Sequence, residues 1–172
     1  MQVITNPSEI RPNDPRNREV VHIGANVEDG NLATPINSSE VIRAFINNLP
    51  AYRQGLSPLR RGLEVGMAHG YWLIGPFAKL GPLRTTDVAN LSGLISTIGL
   101  IVVSTLAISL YAWSNPPSPT KTITTPNPPA ALNTAEGWNE YATGFLIGGI
   151  GGAALAYFLI NNLPIFSNLL GG

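Results

Sequence analysis

The chain has 172 residues, of which 44% are hydrophobic and only 12% carry a charged side chain, whereas about a quarter of the residues in a soluble domain are charged. Ten basic and ten acidic residues balance to zero net charge, which argues against a nucleic-acid-binding protein, because such proteins present a basic surface. There is no cysteine, so a disulfide framework and a thiolate metal site are both excluded. Length and composition together favour a membrane protein of one domain.

Residues 1–36 are predicted to form an extended N-terminal arm. They are rich in Asn, Pro and charged residues and contain no long apolar segment. The arm is therefore neither a secretory signal nor a membrane span, because both require a continuous apolar stretch.

A short amphipathic helix is predicted within residues 37–61. Asn37 followed by Glu40 is typical of an Asn N-cap with a carboxylate at the third helical position, where both side chains satisfy free backbone amides. Apolar residues recur at helical spacing until Pro50, which disfavours helix at the residue before it; they are Val41, Ile42, Phe45, Ile46 and Leu49. We expect this helix to lie on a membrane surface, and packing on the chain's own loops is an equally open alternative.

The first membrane helix is predicted at about residues 62–83. It lies within the segment LPAYRQGLSPLRRGLEVGMAHGYWLIGPFAKLGPLR, in which no residue between Glu64 and Lys79 has a formal charge unless His69 is protonated. Three glycines recur at every fourth position, on one stripe of the helix where a second backbone can approach closely; they are Gly62, Gly66 and Gly70.

Two further membrane helices are predicted at residues 88–113 and 141–163. Both stretches are uncharged and exceed the roughly 20 residues that the hydrocarbon core of a bilayer requires. The loop between them, residues 114–135, contains six prolines, which forbid regular helix and favour extended polyproline geometry. The fold class is therefore an all-α integral membrane protein, with three transmembrane helices in residues 62–164 and a short tail at 165–172.

A second glycine ridge lies in the last predicted span and consists of Gly144, Gly148 and Gly152. Its four-residue spacing predicts another close helix contact. The partner is either a helix of this chain or a helix of another subunit, and the spacing favours neither alternative.

The pentapeptide Ile-Asn-Asn-Leu-Pro occurs twice, at residues 46–50 and 160–164. Helical patterning precedes each copy, so we interpret both as helix-ending sequences. Five residues are too few to indicate a duplicated domain.

Basic residues predict the orientation of the chain in the membrane. Arg53, Arg60, Arg61 and Lys121 fall on the side of the N-terminus, against Lys79 and Arg84 on the other side. Because loops rich in Lys and Arg stay cytoplasmic, the N-terminus is expected on the cytoplasmic face.

Glu64 and His69 are the candidate functional residues, because an ionisable group in a membrane span is costly and marks a functional site by default. On a helix they differ by roughly 140° in direction and about 7.5 Å along the axis, so they do not converge on one ion. A zinc or di-iron site needs several converging ligands, and acid–base catalysis needs a partner group within reach. Neither is evident in the sequence.

One histidine and one separate carboxylate can each give a single axial ligand to a metal that a macrocycle already holds. Magnesium in a chlorophyll suits both donors, since it accepts neutral imidazole and hard carboxylate oxygen. Other interpretations stay open. His69 can hydrogen-bond a neighbouring helix, Glu64 can pair with arginine, both can serve a proton or cation relay in a small channel, or the chain can be a pigment-free scaffold.

Long motifs in three parts of the chain closely resemble the photosystem I reaction centre subunit XI (PsaL) family of cyanobacteria. They are the whole of residues 49–84, VANLSGLI at 88–95 and EGWNEYATGF at 136–145. The resemblance runs from about residue 32 to residue 163 and covers all predicted spans.

The resemblance implies a three-helix, non-catalytic thylakoid protein that binds antenna chlorophyll a and β-carotene. It also implies docking on the core subunits and small single-helix subunits of photosystem I, and joining of monomers into oligomers through copies of this subunit. In this family a glutamate and a histidine of the GLEVGMAHG motif ligate chlorophyll magnesium, and they match Glu64 and His69 here.

The sequence departs from some relatives at positions that bear on oligomerisation. Several trimer-forming members have an acidic residue directly after the PLR motif, associated with calcium between monomers, whereas this chain has Thr85 there and Asp87 two positions later. We therefore predict no calcium through Thr85. Trimer is the family expectation, with dimer and tetramer open, because the Pro-rich loop is longer than in compact members and the tail is short and uncharged.

Overall fold

A computed structural model describes residues 21–23 and 31–163 of the chain. The described residues form helices α1 to α4, one 3-10 turn and one short hairpin. The helices are Glu40–Asn48 (α1), Pro58–Leu80 (α2), Ala89–Trp113 (α3) and Ala135–Asn162 (α4), and the 3-10 turn is Ala130–Asn133. The all-α prediction is confirmed for this part of the chain. Expectations for the rest of the arm and for the tail at 165–172 lie outside the described residues.

The hairpin and helix α1 belong to the smaller of two compact units, which contains the described residues up to 54 together with 118–130. Strands β1 (His22–Ile23) and β2 (Leu32–Ala33) pair antiparallel, with His22 opposite Ala33. The larger unit contains residues 55–117 and the described residues from 131 onward, and so holds α2, α3 and α4.

The predicted N-cap of α1, Asn37, is wrong. Ser39 caps the helix instead, because its hydroxyl oxygen accepts a hydrogen bond from the backbone N–H of Ile42 at 3.3 Å. The Asn37 amide is already engaged in the preceding turn, where it accepts from Thr34 N–H at 2.7 Å and donates to the Leu32 carbonyl at 2.8 Å. Ser39, directly before the first helical residue, is left to satisfy the free amide.

The Pro-rich loop is fixed to the N-terminal segment by side-chain hydrogen bonds within the smaller unit. Asn47 Nδ2 donates to the Thr124 carbonyl at 2.7 Å, and Gln54 Nε2 donates to the Asn127 carbonyl at 2.9 Å. In the other direction the Thr124 hydroxyl donates to the Asn37 carbonyl at 3.1 Å. Helix α1 has no buried residue, and Val41 is 77% exposed.

Both copies of the repeated pentapeptide end a helix, as predicted. Helix α1 ends at Asn48 and α4 at Asn162, and the following leucine is extended in each case. In both copies the two asparagine amides donate to the carbonyls four residues earlier, at 2.7–2.8 Å. Each of these carbonyls lies one turn before its asparagine, so the side-chain amide bonds back onto the helix just before it ends.

Helices α2 and α4 contact each other backbone to backbone along their two glycine ridges. A Cβ atom at Gly66 would lie closer than 3.0 Å to backbone atoms of Phe145, and one at Gly148 would lie equally close to backbone atoms of Leu63. The other four ridge glycines face backbone in the same way; they are Gly62, Gly70, Gly144 and Gly152. The predicted close approach is confirmed, and Gly144, Gly148 and Gly152 make it within the chain rather than with another subunit.

Helix α3 completes the larger unit by packing on both of the others. Gly93 lies against Ala78 and the Ile74 carbonyl of α2, and Ile101 fills the surface left open by Gly149 of α4. Ile101 is 1% exposed, so this contact is fully buried.

The described helices begin or end a few residues away from the predicted spans for identifiable reasons. Ser57 caps α2 and Pro58 occupies its first turn, where the missing N–H of proline has no cost. The Thr134 hydroxyl caps α4 by accepting a hydrogen bond from Gly137 N–H at 3.0 Å.

By length and composition α3 and α4 are apolar enough to cross a membrane. Helix α2 carries several charged residues, and its membrane span stays a prediction.

We predict that Gly148→Ala destabilises the chain whereas Gly151→Ala does not. The added methyl at 148 meets the backbone of Leu63, whereas a methyl at 151 points into open space. Overpacking costs about 1–3 kcal/mol, and alanine in an open helical position gains up to about 1 kcal/mol over glycine. The thermal midpoint of the purified chain in detergent measures the difference. Equal midpoints for both variants would contradict the backbone contact.

Candidate functional site

His69 lies on α2 with its imidazole exposed and one ring nitrogen already engaged. Its Nδ1 is 2.8 Å from the carbonyl oxygen of Val65, one turn earlier. Because a carbonyl oxygen only accepts hydrogen bonds, Nδ1 must carry the proton. In the neutral ring Nε2 is then unprotonated and presents a lone pair, which is the state that a metal ligand requires.

A second contact with the imidazole comes from α4. The ring of Phe145 meets it edge to face, with centroids 5.5 Å apart and planes at 60°. Phe145 is 5% exposed and stacks on Tyr141 at 6.5 Å and 17°. The histidine is therefore exposed on one side and supported on the other.

Glu64 is half-buried on the same helix, three residues after Arg61, which is 3% exposed. Glu64 and His69 are five residues apart on α2, which separates them by roughly 140° around the helix axis. Within the described part of the chain, no three His, Asp or Glu side chains gather around one point. Glu64 and His69 therefore belong to no such cluster.

A row of aromatic rings that leads to His69 was not predicted from the sequence. Trp138 contacts Tyr141 at 5.6 Å on α4, and Tyr111 of α3 contacts Trp138 at 5.2 Å. The spacing of the aromatic residues at 138, 141 and 145 does indicate the row, because residues three and four apart lie on one face of a helix. What spacing does not reveal is that this face meets the histidine.

Thr85 and Asp87, which bear on calcium, are both exposed in the turn between α2 and α3. In that turn the Thr86 hydroxyl donates to the Leu83 carbonyl at 2.8 Å. The absence of calcium at Thr85 stays a prediction.

The fold and site together define a class of protein. It is a helical protein with two helices that are long and apolar enough to span a membrane. A third helix contacts one of them through glycines and carries Glu64 and His69. Among the described residues no three His, Asp or Glu side chains form a cluster that could hold a metal ion.

Comparisons with known proteins give the family. Residues 19–165 match the family model described as Photosystem I reaction centre subunit XI (PsaL). A protein of that name from Nostoc sp. (strain PCC 7120) is 62% identical over 161 residues, covering 93% of this chain and 94% of the relative. The Mastigocladus laminosus protein is 60% identical over 166 residues and 96% of each chain. The chain belongs to the photosystem I reaction centre subunit XI family.

We predict that the neutral His69 imidazole in the purified chain is the Nδ1–H tautomer, because Nδ1 donates to Val65. Nitrogen NMR shifts of chain labelled with ¹⁵N-histidine distinguish the two ring nitrogens. A His22→Gln variant removes the only other histidine and so assigns the signal. An Nε2–H tautomer would contradict the site geometry.

Proposed function

We propose that this chain is a non-catalytic subunit of photosystem I in the thylakoid membrane of a cyanobacterium, where it binds antenna chlorophyll a and carotenoid and joins photosystem I monomers into oligomers. Family membership supports the assignment to photosystem I. The observation that carries the pigment assignment is the His69 hydrogen bond to Val65, at 2.8 Å, which directs the unprotonated nitrogen of an exposed imidazole away from its own helix.

His69 and Glu64 would each hold one chlorophyll through its magnesium. The neutral Nε2 of His69 is the donor in one case, and a carboxylate oxygen of Glu64, a hard donor suited to magnesium, is the donor in the other. Bound chlorophyll a supplies light absorption and transfer of excitation to neighbouring pigments. The wide angle between the two side chains supports two separate pigments rather than one shared ion.

β-Carotene binds along the apolar outer surface of the helices. Carotenoids are long and apolar, and the larger unit exposes large apolar side chains such as Trp72 at 73% and Leu110 at 69%. Membrane lipid covers the remaining apolar surface.

Helix α2 is the third membrane span beside α3 and α4, with the N-terminus on the cytoplasmic side. Its 23 residues correspond to about 34 Å of helix at 1.5 Å per residue, enough for a hydrocarbon core of about 30 Å. Helix α1 lies on the membrane surface, and its exposed Val41 and Phe45 support an apolar partner there.

Oligomerisation uses the outer faces of the helices, because the glycine ridges are occupied within the chain. Helix α3 exposes an uncharged apolar face, with Val103 at 62% and Leu106 at 60%. Such faces contact the photosystem I core, small single-helix subunits and the same subunit of neighbouring monomers.

We predict that His69→Leu removes one chlorophyll per copy of the chain from purified photosystem I. Glu64→Leu should remove a different one, and the double variant two, because the ligands are separate. Pigment extraction with quantification against protein measures the loss. Met67→Leu, on the same helix and 43% exposed, is the matched control. A His69→Leu complex with its full chlorophyll content would show that His69 is not a ligand.

We predict that deleting the chain leaves photosystem I monomeric, because the joining surface is then absent. Native mass or sedimentation of detergent-extracted complexes, compared with cells that retain the chain, tests this. Complementation with the unaltered chain should restore the oligomers. Normal oligomers in the deletion strain would refute the assembly role.

A further inference from the structure

The hydrogen bond to Val65 does not fix the His69 ring completely. A single bond at Nδ1, 2.8 Å long, restrains the ring at one nitrogen and leaves it able to tilt about the bond axis. The direction of the Nε2 lone pair changes with that tilt. A second contact is needed to hold the donor in one direction.

Phe145 supplies that contact. Its ring meets the imidazole at 5.5 Å and 60°, within the edge-to-face geometry that aromatic pairs favour. No other aromatic ring among the described residues contacts His69.

The glycine contact determines that Phe145 can reach the histidine. The backbone of Phe145 lies directly over Gly66, where a Cβ atom would come closer than 3.0 Å to three of its backbone atoms. Gly66 is three residues before His69 and therefore one turn away on α2. A side chain at 66 would push the α4 backbone, and the phenyl ring with it, away from the imidazole.

Phe145 is itself held in place. It is 5% exposed and stacks on Tyr141 with the two planes at 17°. Tyr141 in turn contacts Trp138 edge to face at 5.6 Å. A buried ring that is backed by a row of two further aromatic rings can restrain its neighbour.

We propose that Phe145 is a positioning residue for the His69 ligand, so that α4 sets the orientation of a donor that belongs to α2. The inference rests on the proposed pigment function. Outer contacts that orient a ligating histidine change the properties of the bound metal, and the surroundings of a cofactor tune its electronic state. Phe145 should therefore affect the absorption of the pigment at His69 and not only the stability of the helix pair.

The test compares absorption difference spectra of whole photosystem I complexes that carry variant chains. His69→Leu first identifies the band of the pigment that His69 holds, as the band that disappears. Phe145→Leu and the longer Phe145→Met both remove the aromatic ring while keeping an apolar side chain. Ile101→Val, buried against α4 at Gly149, perturbs the packing of α4 against α3 without touching His69.

We expect both Phe145 variants to shift the His69-dependent band at unchanged chlorophyll content, and Ile101→Val to leave it in place. An unshifted band in the Phe145 variants would overturn the positioning role and leave the ligand assignment intact. An equal shift in Ile101→Val would also overturn it, since general packing would then explain the effect. By contrast, a His69→Leu complex that lacks no band would contradict the proposed function itself.

Discussion

The contact of backbone with backbone between α2 and α4 is the constraint on which the rest of the larger unit depends. Between helices in a bilayer, association relies on close van der Waals packing, because the lipid is as apolar as the side chains. Gly66 and Gly148 allow that packing by offering no Cβ where the opposing helix passes. The contact fixes which side of each helix faces the other, because all six ridge glycines lie in it.

The candidate site is a direct consequence. With the glycine stripe of α2 turned to α4, His69 lies at the margin of the contact, near enough for Phe145 to meet its ring at 5.5 Å and still exposed. Glu64 lies in another direction on the same helix. Along one helix, the glycines contact the partner helix, whereas the imidazole of His69 is exposed.

Much of this could be predicted from the sequence, because spacing along a helix fixes direction. The four-residue glycine ridges, the helix ends at Ile-Asn-Asn-Leu-Pro and the separation of Glu64 from His69 all follow from it. Spacing does not fix which helix packs against a glycine ridge or how the two helices are aligned. The contact between the two ridges of this chain and the contact of Phe145 with His69 could therefore not be deduced. The N-cap at Asn37 was wrong because Asn and Ser offer the same capping chemistry, and a local turn decided between them.

A density map of photosystem I purified from cells that carry this chain tests the central claim most directly. The claim is that the α2–α4 contact is internal and leaves His69 as a ligand. We expect ring-shaped density with its centre bound at Nε2 of His69, and α2 and α4 in contact through their glycine ridges. A map in which Nε2 hydrogen-bonds to a side chain of a neighbouring helix, with no ring beside it, would contradict the account.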